Sequence, residues 1–216
     1  MSKRWIIALK VLLHALCLAP IAHLAWRFFY AQDTFGADPT NYITHFTGNW
    51  ALSMLMYCLA ITPVRRLSTR LGWLIRFRRM LGLYAFFYAT LHLITYIWLF
   101  SGFNVASMID DIQKRWFIMV GLFGWLVLLL LALTSPTWAL RKMGGRRWQL
   151  LHRSIYLAAM AGVIHYWLLV KAGVRSPMPF TLVLGGLLLA RIAWSLWNGR
   201  KKRAKLRSAA VSTQTA

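Results

Sequence analysis

The sequence predicts an all-α polytopic membrane protein: a six-transmembrane-helix bundle over residues 1–198, both termini cytoplasmic, with a basic tail at 199–216. Three observations carry this expectation. Of 216 residues, 59% are hydrophobic and 14% charged, more apolar surface than one soluble core of this size can hide. The apolar residues fall in long blocks rather than in a soluble helix's three-four rhythm, several of them about 18 residues or more, enough to cross about 30 Å of hydrocarbon. The basic residues collect in alternate connections between those blocks.

The first block, Trp5–Tyr30, follows Lys3 and Arg4 as a secretory signal would. Its apolar stretch outruns a signal's core and has no small-residue cleavage site, so it is expected to be retained as a span. The second is Phe46–Pro63, the third Leu81–Ser101, the fourth Trp116–Ser135, the fifth Leu151–Val170 and the sixth Phe180–Trp197. Tryptophans such as Trp5, Trp26, Trp98, Trp116, Trp138, Trp148 and Trp197 mark the block ends, where an apolar ring with a polar N–H suits the membrane interface. The last residues are basic, then small and polar, and are expected to be disordered.

Lysine and arginine set the direction. Lys3, Arg4 and Lys10 lie at the N-terminus, and Arg65, Arg66, Arg70, Arg76, Arg78 and Arg79 between the second and third blocks. Arg141, Lys142, Arg146 and Arg147 separate the fourth from the fifth, and the tail holds Arg200, Lys201, Lys202, Arg203, Lys205 and Arg207. The intervening connections hold Asp33 and Asp38; Asp110, Asp111, Lys114 and Arg115; and Lys171 with Arg175. Alternate connections are rich, which places both termini in the cytoplasm. The net charge of +22 therefore describes membrane orientation and implies no nucleic-acid partner. Cys17 and Cys58 sit singly inside apolar blocks, so buried structural thiols are expected rather than a disulfide or zinc site. No GxGxxG or P-loop pattern offers a place for a nicotinamide cofactor.

Ligand-competent side chains inside a span cost free energy and point to function. The candidates are His14, His23, His45, His92, His152 and His165; glutamate is absent and the four aspartates lie in exterior loops. This disfavours a carboxylate proton relay or a carboxylate-rich metal site in the membrane. His92 stands about 18 Å beyond Met80 along the third helix and His165 about 21 Å beyond Leu151 along the fifth. Two neutral imidazoles at one depth can hold a haem iron from opposite faces; the alternative is hydrogen bonding between helices. His152 lies about 20 Å nearer the cytoplasm than His165, and on an ideal helix the two side chains point well over a right angle apart. Either the helix is distorted or two ligands are approached from different sides. His14 and His23 suit interhelical hydrogen bonds, with His14 deep enough to be a spare ligand, and His45 lies at the outer interface.

The strings ADPTNYITHFTGNWAL, ITPVRR, IRFRRMLGLYAFFYATLHLITY and WQLLHRSIYLAAMAGVIHYWLLVK resemble the MsrQ (formerly YedZ) family over nearly the whole chain apart from the tail. More distantly, the chain is similar to ferric-reductase and NADPH-oxidase transmembrane domains. The resemblance implies a six-span protein of the bacterial inner membrane with b-type haem, one or two, and with FMN. It implies electron transfer from the quinone pool or a cytosolic flavin reductase to MsrP, a periplasmic molybdopterin subunit that reduces methionine sulfoxide in oxidised proteins. By position, His92, His152 and His165 match the family's haem-ligand histidines.

One departure concerns the oxidase-type domains, which place two histidines on span three; fourteen residues before His92 this chain has Arg78. An inner haem would then rely on His152 alone, on His152 with His14, or on another group. Arg78 or Arg79 is a candidate partner for a haem propionate, because a guanidinium fork matches a carboxylate. Arg76, Arg78, Arg79, Arg146 and Arg147 together offer a platform for a flavin phosphate or an acidic partner, or merely orient the chain. The exterior segments Phe35–Phe46 and Gly102–Trp116 are the expected dock for the periplasmic partner. The competing expectations are a histidine-dependent transporter and a stand-alone ferric reductase. The first lacks intramembrane carboxylates and repeats; the second needs a flavin–nicotinamide domain that is not in this sequence.

Overall fold

In segments this apolar only a helix satisfies each backbone N–H and C=O internally, and among the described residues every regular element is helical. The computed structural model describes the backbone of residues 3–170 and 176–214 and the side chains of 4–170 and 176–201. Lys171 and Arg175, named above for orientation, lie outside the described residues, as do the side chains of Lys3, Lys202, Arg203, Lys205 and Arg207.

Helix α1 spans Lys3–Tyr30. Helix α2, Pro39–Leu67, starts where the Asp38 carboxylate accepts the Asn41 N–H at 2.9 Å, with proline in the first turn where its missing N–H costs nothing. A 3₁₀ stretch, Thr69–Leu74, leads into α3, Ile75–Thr95, which continues as a π-helical turn over Tyr96–Phe100. Then come α4, Val105–Lys114, and α5, Trp116–Leu133. Two short helices follow, α6 at Thr137–Met143 and α7 at Gly145–Leu151. After a 3₁₀ turn at His152–Ser154 the chain enters α8, Ile155–Leu169, and later α9, Met178–Gln214.

This chain is a membrane protein. Among the described residues four helical stretches are long and apolar enough to cross a bilayer: Arg4–Tyr30, Thr69–Phe100, Trp116–Leu133 and Met178–Lys201. The second and fifth expected spans are not among them. Helix α2 carries Thr44, His45, Thr47, Asn49 and Ser53, yet it has ten buried side chains, more than any other helix among the described residues. Its hydroxyls are satisfied mainly within the helix, Thr44 donating to the Thr40 carbonyl, Thr47 to Ile43 and Ser53 to Asn49. Helix α8 is only 15 residues long because the 3₁₀ turn at His152 detaches α7 from it.

Two further boundaries differ from expectation. Gly102–Trp116 is not a plain loop: α4 occupies most of it, strongly two-faced, with Lys114–Asp110 (2.7 Å) and Arg115–Asp111 (3.1 Å) ion pairs. Helix α9 runs past residue 199 to Gln214 without a break.

Packing is organised by two helix pairs. Helix α2 lies along α3, and α5 along α8. Ala85, Tyr88, Cys58, Leu59, Ala158 and Ala159 form the tightest part of the core. Gly124 faces Ala161, so a side chain there would meet its Cβ at 3.3 Å; such small residues let membrane helices approach closely. Helix α1 is tied on by the fully buried Tyr88, whose hydroxyl donates to the Cys17 carbonyl at 2.7 Å. At the other end Arg27 donates to Thr34 and Tyr42 and lies over the Phe35 and Tyr42 rings. Cys17 and Cys58 are both buried and free.

The Tyr88–Cys17 bond gives a direct test. Tyr88→Phe removes the hydroxyl and keeps the ring, and is expected to lower stability in detergent by about 0.5–1.5 kcal/mol, read from thermal unfolding, while the α2–α3 pair remains intact.

Candidate functional site

A histidine in an apolar helix must find a partner inside the protein, and two of the six do so in the same way. His92 Nδ1 lies 2.9 Å from the Thr44 carbonyl of α2, and His165 Nδ1 lies 2.6 Å from the Phe117 carbonyl of α5. A carbonyl only accepts, so in each neutral ring Nδ1 carries the proton and Nε2 keeps its lone pair. Thr47 Oγ1 stands a further 3.5 Å from His92 Nδ1.

Room for both rings comes from glycine four residues after each accepting carbonyl. A Cβ at Gly48 would stand 3.1 Å from His92 Nδ1 and Cε1, and one at Gly121 would stand 2.7 Å from His165 Nδ1. Each helix pair thus holds one imidazole by one device: carbonyl at one position, glycine a turn later. The two held rings face each other across the bundle, 6.0 Å between centres with planes at 83°. The matched depths read from the sequence are therefore real proximity.

His152 lies at the other end. Its Nε2 is 3.2 Å from Thr134 Oγ1, and its ring stacks on Trp148 at 3.9 Å. Trp148 is fixed by donating Nε1–H to the Thr134 carbonyl at 2.8 Å. Gly144, with φ 76° and ψ 148°, turns the chain from α6 into α7 to bring Trp148 there; a side chain at that φ would be strained. Of the two alternatives left open by the thirteen-residue spacing to His165, the helix is distorted, by the 3₁₀ turn starting at His152. Three residues at about 120° rather than 100° cut the angle between the two side chains from roughly 140° to roughly 80°.

The structure does not bring a second histidine to His152. His14 is turned to α3, its Nδ1 2.7 Å from the Tyr84 hydroxyl, which is an interhelical bond rather than a spare ligand. His23 lies beside Trp26, and His45 beside Tyr166. Arg79 donates Nε–H to Ser135 Oγ at 2.9 Å, adjacent to Thr134. Arg78 holds α2 through its backbone, its carbonyl accepting from Cys58 Sγ at 3.2 Å.

The residues present would suit a haem at the His92–His165 pair. The two imidazoles, 6.0 Å apart between centres, would supply the nitrogens that hold its iron. The Nδ1–carbonyl bonds supply the outer support that metal-bound histidines require. Sequence reasoning missed Thr44, Gly48, Phe117 and Gly121. Glycines within apolar blocks were a visible signal, but which of several glycines faces a histidine is decided only by packing.

Comparison with known proteins agrees with this arrangement. Residues 47–163 match the family described as ferric reductase like transmembrane component, a stretch that includes His92 and His152 and stops two residues short of His165. A protein-methionine-sulfoxide reductase heme-binding subunit MsrQ from Herminiimonas arsenicoxydans is 45% identical over 90% of this chain and 88% of its own length. The similarly named proteins from Xanthomonas oryzae pv. oryzae and Ralstonia nicotianae are 46% and 41% identical, over 93% and 91% of this chain and 92% and 90% of theirs.

Proposed function

Since the chain belongs to the MsrQ family, within the ferric reductase like transmembrane proteins, we propose that it carries electrons across the bacterial inner membrane on b-type haem. The recipient in this proposal is MsrP, the periplasmic methionine-sulfoxide reductase subunit, and the donor is the quinone pool or a cytosolic flavin reductase. The observation that carries it is the facing pair His92 and His165, each with Nδ1 engaged and Nε2 free. The relatives are named heme-binding subunits, which supports the same assignment.

In this reading the chain crosses the membrane six times with both termini in the cytoplasm. Supporting that count, α2 is 29 residues long and becomes apolar after Ser53, and α7 with α8 extends over Gly145–Leu169. His92 and His165 hold the outer haem. A bound haem supplies a one-electron couple whose potential follows its ligands and burial. The protein's own work is to fix the ligands: Thr44 and Phe117 set ring tautomer and orientation, and Gly48 and Gly121 let the rings come close. A second haem would rest on His152 at the inner end, with Arg78 and Arg79 facing its propionates. The arginine-rich inner surface that continues to Arg146 and Arg147 suits the phosphate of FMN.

Purified wild-type protein is expected to be red, with an α-band that sharpens on dithionite. His92→Ala and His165→Ala are expected to lose most of that pigment, and His14→Ala, bonded only to Tyr84, to retain it. Colourless, correctly folded wild-type protein would refute the assignment. The glycines grade the effect: Gly121→Ala, with its 2.7 Å clash, should lose more haem than Gly48→Ala at 3.1 Å, measured as haem-to-protein ratio. Arg78→Ala or Arg79→Ala is expected to lower the potential of the inner haem by on the order of 1 kcal/mol, about 40 mV for a one-electron couple. An unchanged redox titration and haem content would sever these arginines from the site.

A further inference from the structure

Span six carries an arginine, Arg191, within the run LLLARIAWSLW, and a cation inside a span asks for a partner. It is half-buried, donates Nη1–H to the Tyr156 hydroxyl and lies over the Tyr156 ring. Across a cavity of about 100 Å³ stands Arg66, over the Trp194 ring at 5.4 Å. Between them the cavity is walled by α2, α8 and α9. Its polar lining includes Thr62, a buried side chain whose Oγ1 has no hydrogen-bond partner. Pro63 follows and has no N–H, so the Leu59 carbonyl, also on this wall, loses the donor its helix would otherwise give it.

Two guanidinium groups converge here, and among the described residues neither is ion-paired with a carboxylate. The whole sequence has four acidic residues. Asp38 caps the opposite end of α2, about 40 Å along the helix from Arg66, Asp33 lies just before it in the connection from α1, and Asp110 and Asp111 belong to α4, beyond the far end of α3. Both arginines lie at the basic end of the bundle. The remaining wall, Leu187, Ala190 and Trp194, is apolar, as a lipid's glycerol and upper acyl segment require. A phosphate fits the fork of an arginine, and basic pockets between membrane helices on the cytoplasmic side bind anionic headgroups.

We propose that this cavity is a specific site for an anionic phospholipid. Its phosphodiester lies between Arg66 and Arg191, beside Thr62, and its chains run along α9. Occupancy joins α2, α8 and α9 at the end of the molecule remote from the His92–His165 pair. The proposal needs only a membrane setting and stands whether or not the histidines bind haem.

The test uses full-length protein in mild detergent, stripped of lipid, with thermal unfolding followed by the loss of monodisperse protein. Added phosphatidylglycerol is expected to raise the midpoint, whereas phosphatidylcholine and inorganic phosphate are not. In Arg66→Gln and in Arg191→Gln the phosphatidylglycerol concentration giving half the shift should rise about fivefold each. Arg141→Gln, outside the cavity, should leave it unchanged. Thr62→Leu fills the cavity without altering charge and should also abolish the shift, which guards against arginine variants that fold poorly. Equal stabilisation by phosphatidylcholine, reproduction by inorganic phosphate, or a full shift in Thr62→Leu would each overturn the proposal.

Discussion

Inside a membrane an imidazole N–H has no water to bond, and this molecule is arranged around where two such groups find acceptors. His92 turns to a carbonyl of α2 and His165 to a carbonyl of α5. Leaving either N–H buried and unmet would cost about 1–3 kcal/mol, so the two bonds constrain which helices are neighbours. Helix α3 must lie on α2 and α8 on α5, and the core packs accordingly, with Ala85, Ala158 and Gly124 thinning the contacts. Once those pairs are set, the free nitrogens are left on the rings' other edges, between the pairs.

The two ends of the bundle solve different problems. At one end two histidines oppose each other, and the surrounding polar groups are hydroxyls and carbonyls. At the other end His152 stands without a histidine partner, stacked on Trp148, with Arg79 bonded to Ser135 next to the Thr134 hydroxyl that meets it. An arginine where oxidase-type domains carry a histidine exchanges a neutral donor of electrons for a fixed positive charge. That substitution removes one mode of holding iron and adds one mode of holding a carboxylate or phosphate. The same excess of unpaired positive charge, with the acids confined to the opposite end, is what leaves Arg66 and Arg191 facing an open cavity.

Much of this was legible before any coordinates. Block lengths, tryptophan positions and the alternation of arginine-rich connections pointed to a helical membrane protein, and the equal depths of His92 and His165 pointed to their meeting. Thr44, His45, Thr47 and Asn49 lower the apolar character of α2, which is nevertheless among the most buried helices described. Likewise α8 looks too short only because the chain tightens to 3₁₀ at His152, and the thirteen-residue spacing hinted at that tightening without locating it. The amphipathic α4 was hidden inside what read as a loop.

What the sequence determined by itself is set by local rules: which stretches prefer oil to water, which end is cationic, and how far along a helix each histidine lies. These depend on residue type and a fixed rise per residue, so they survive without knowledge of neighbours. The tertiary structure alone decided which carbonyl each histidine meets, that Gly48 and Gly121 are the glycines making room, that His14 belongs to Tyr84, and that Arg191 shares a cavity with Arg66. Those pairings join positions from 44 to 125 residues apart. They depend on the rotation of one helix against another, and that rotation is chosen by the packing of every contacting side chain at once.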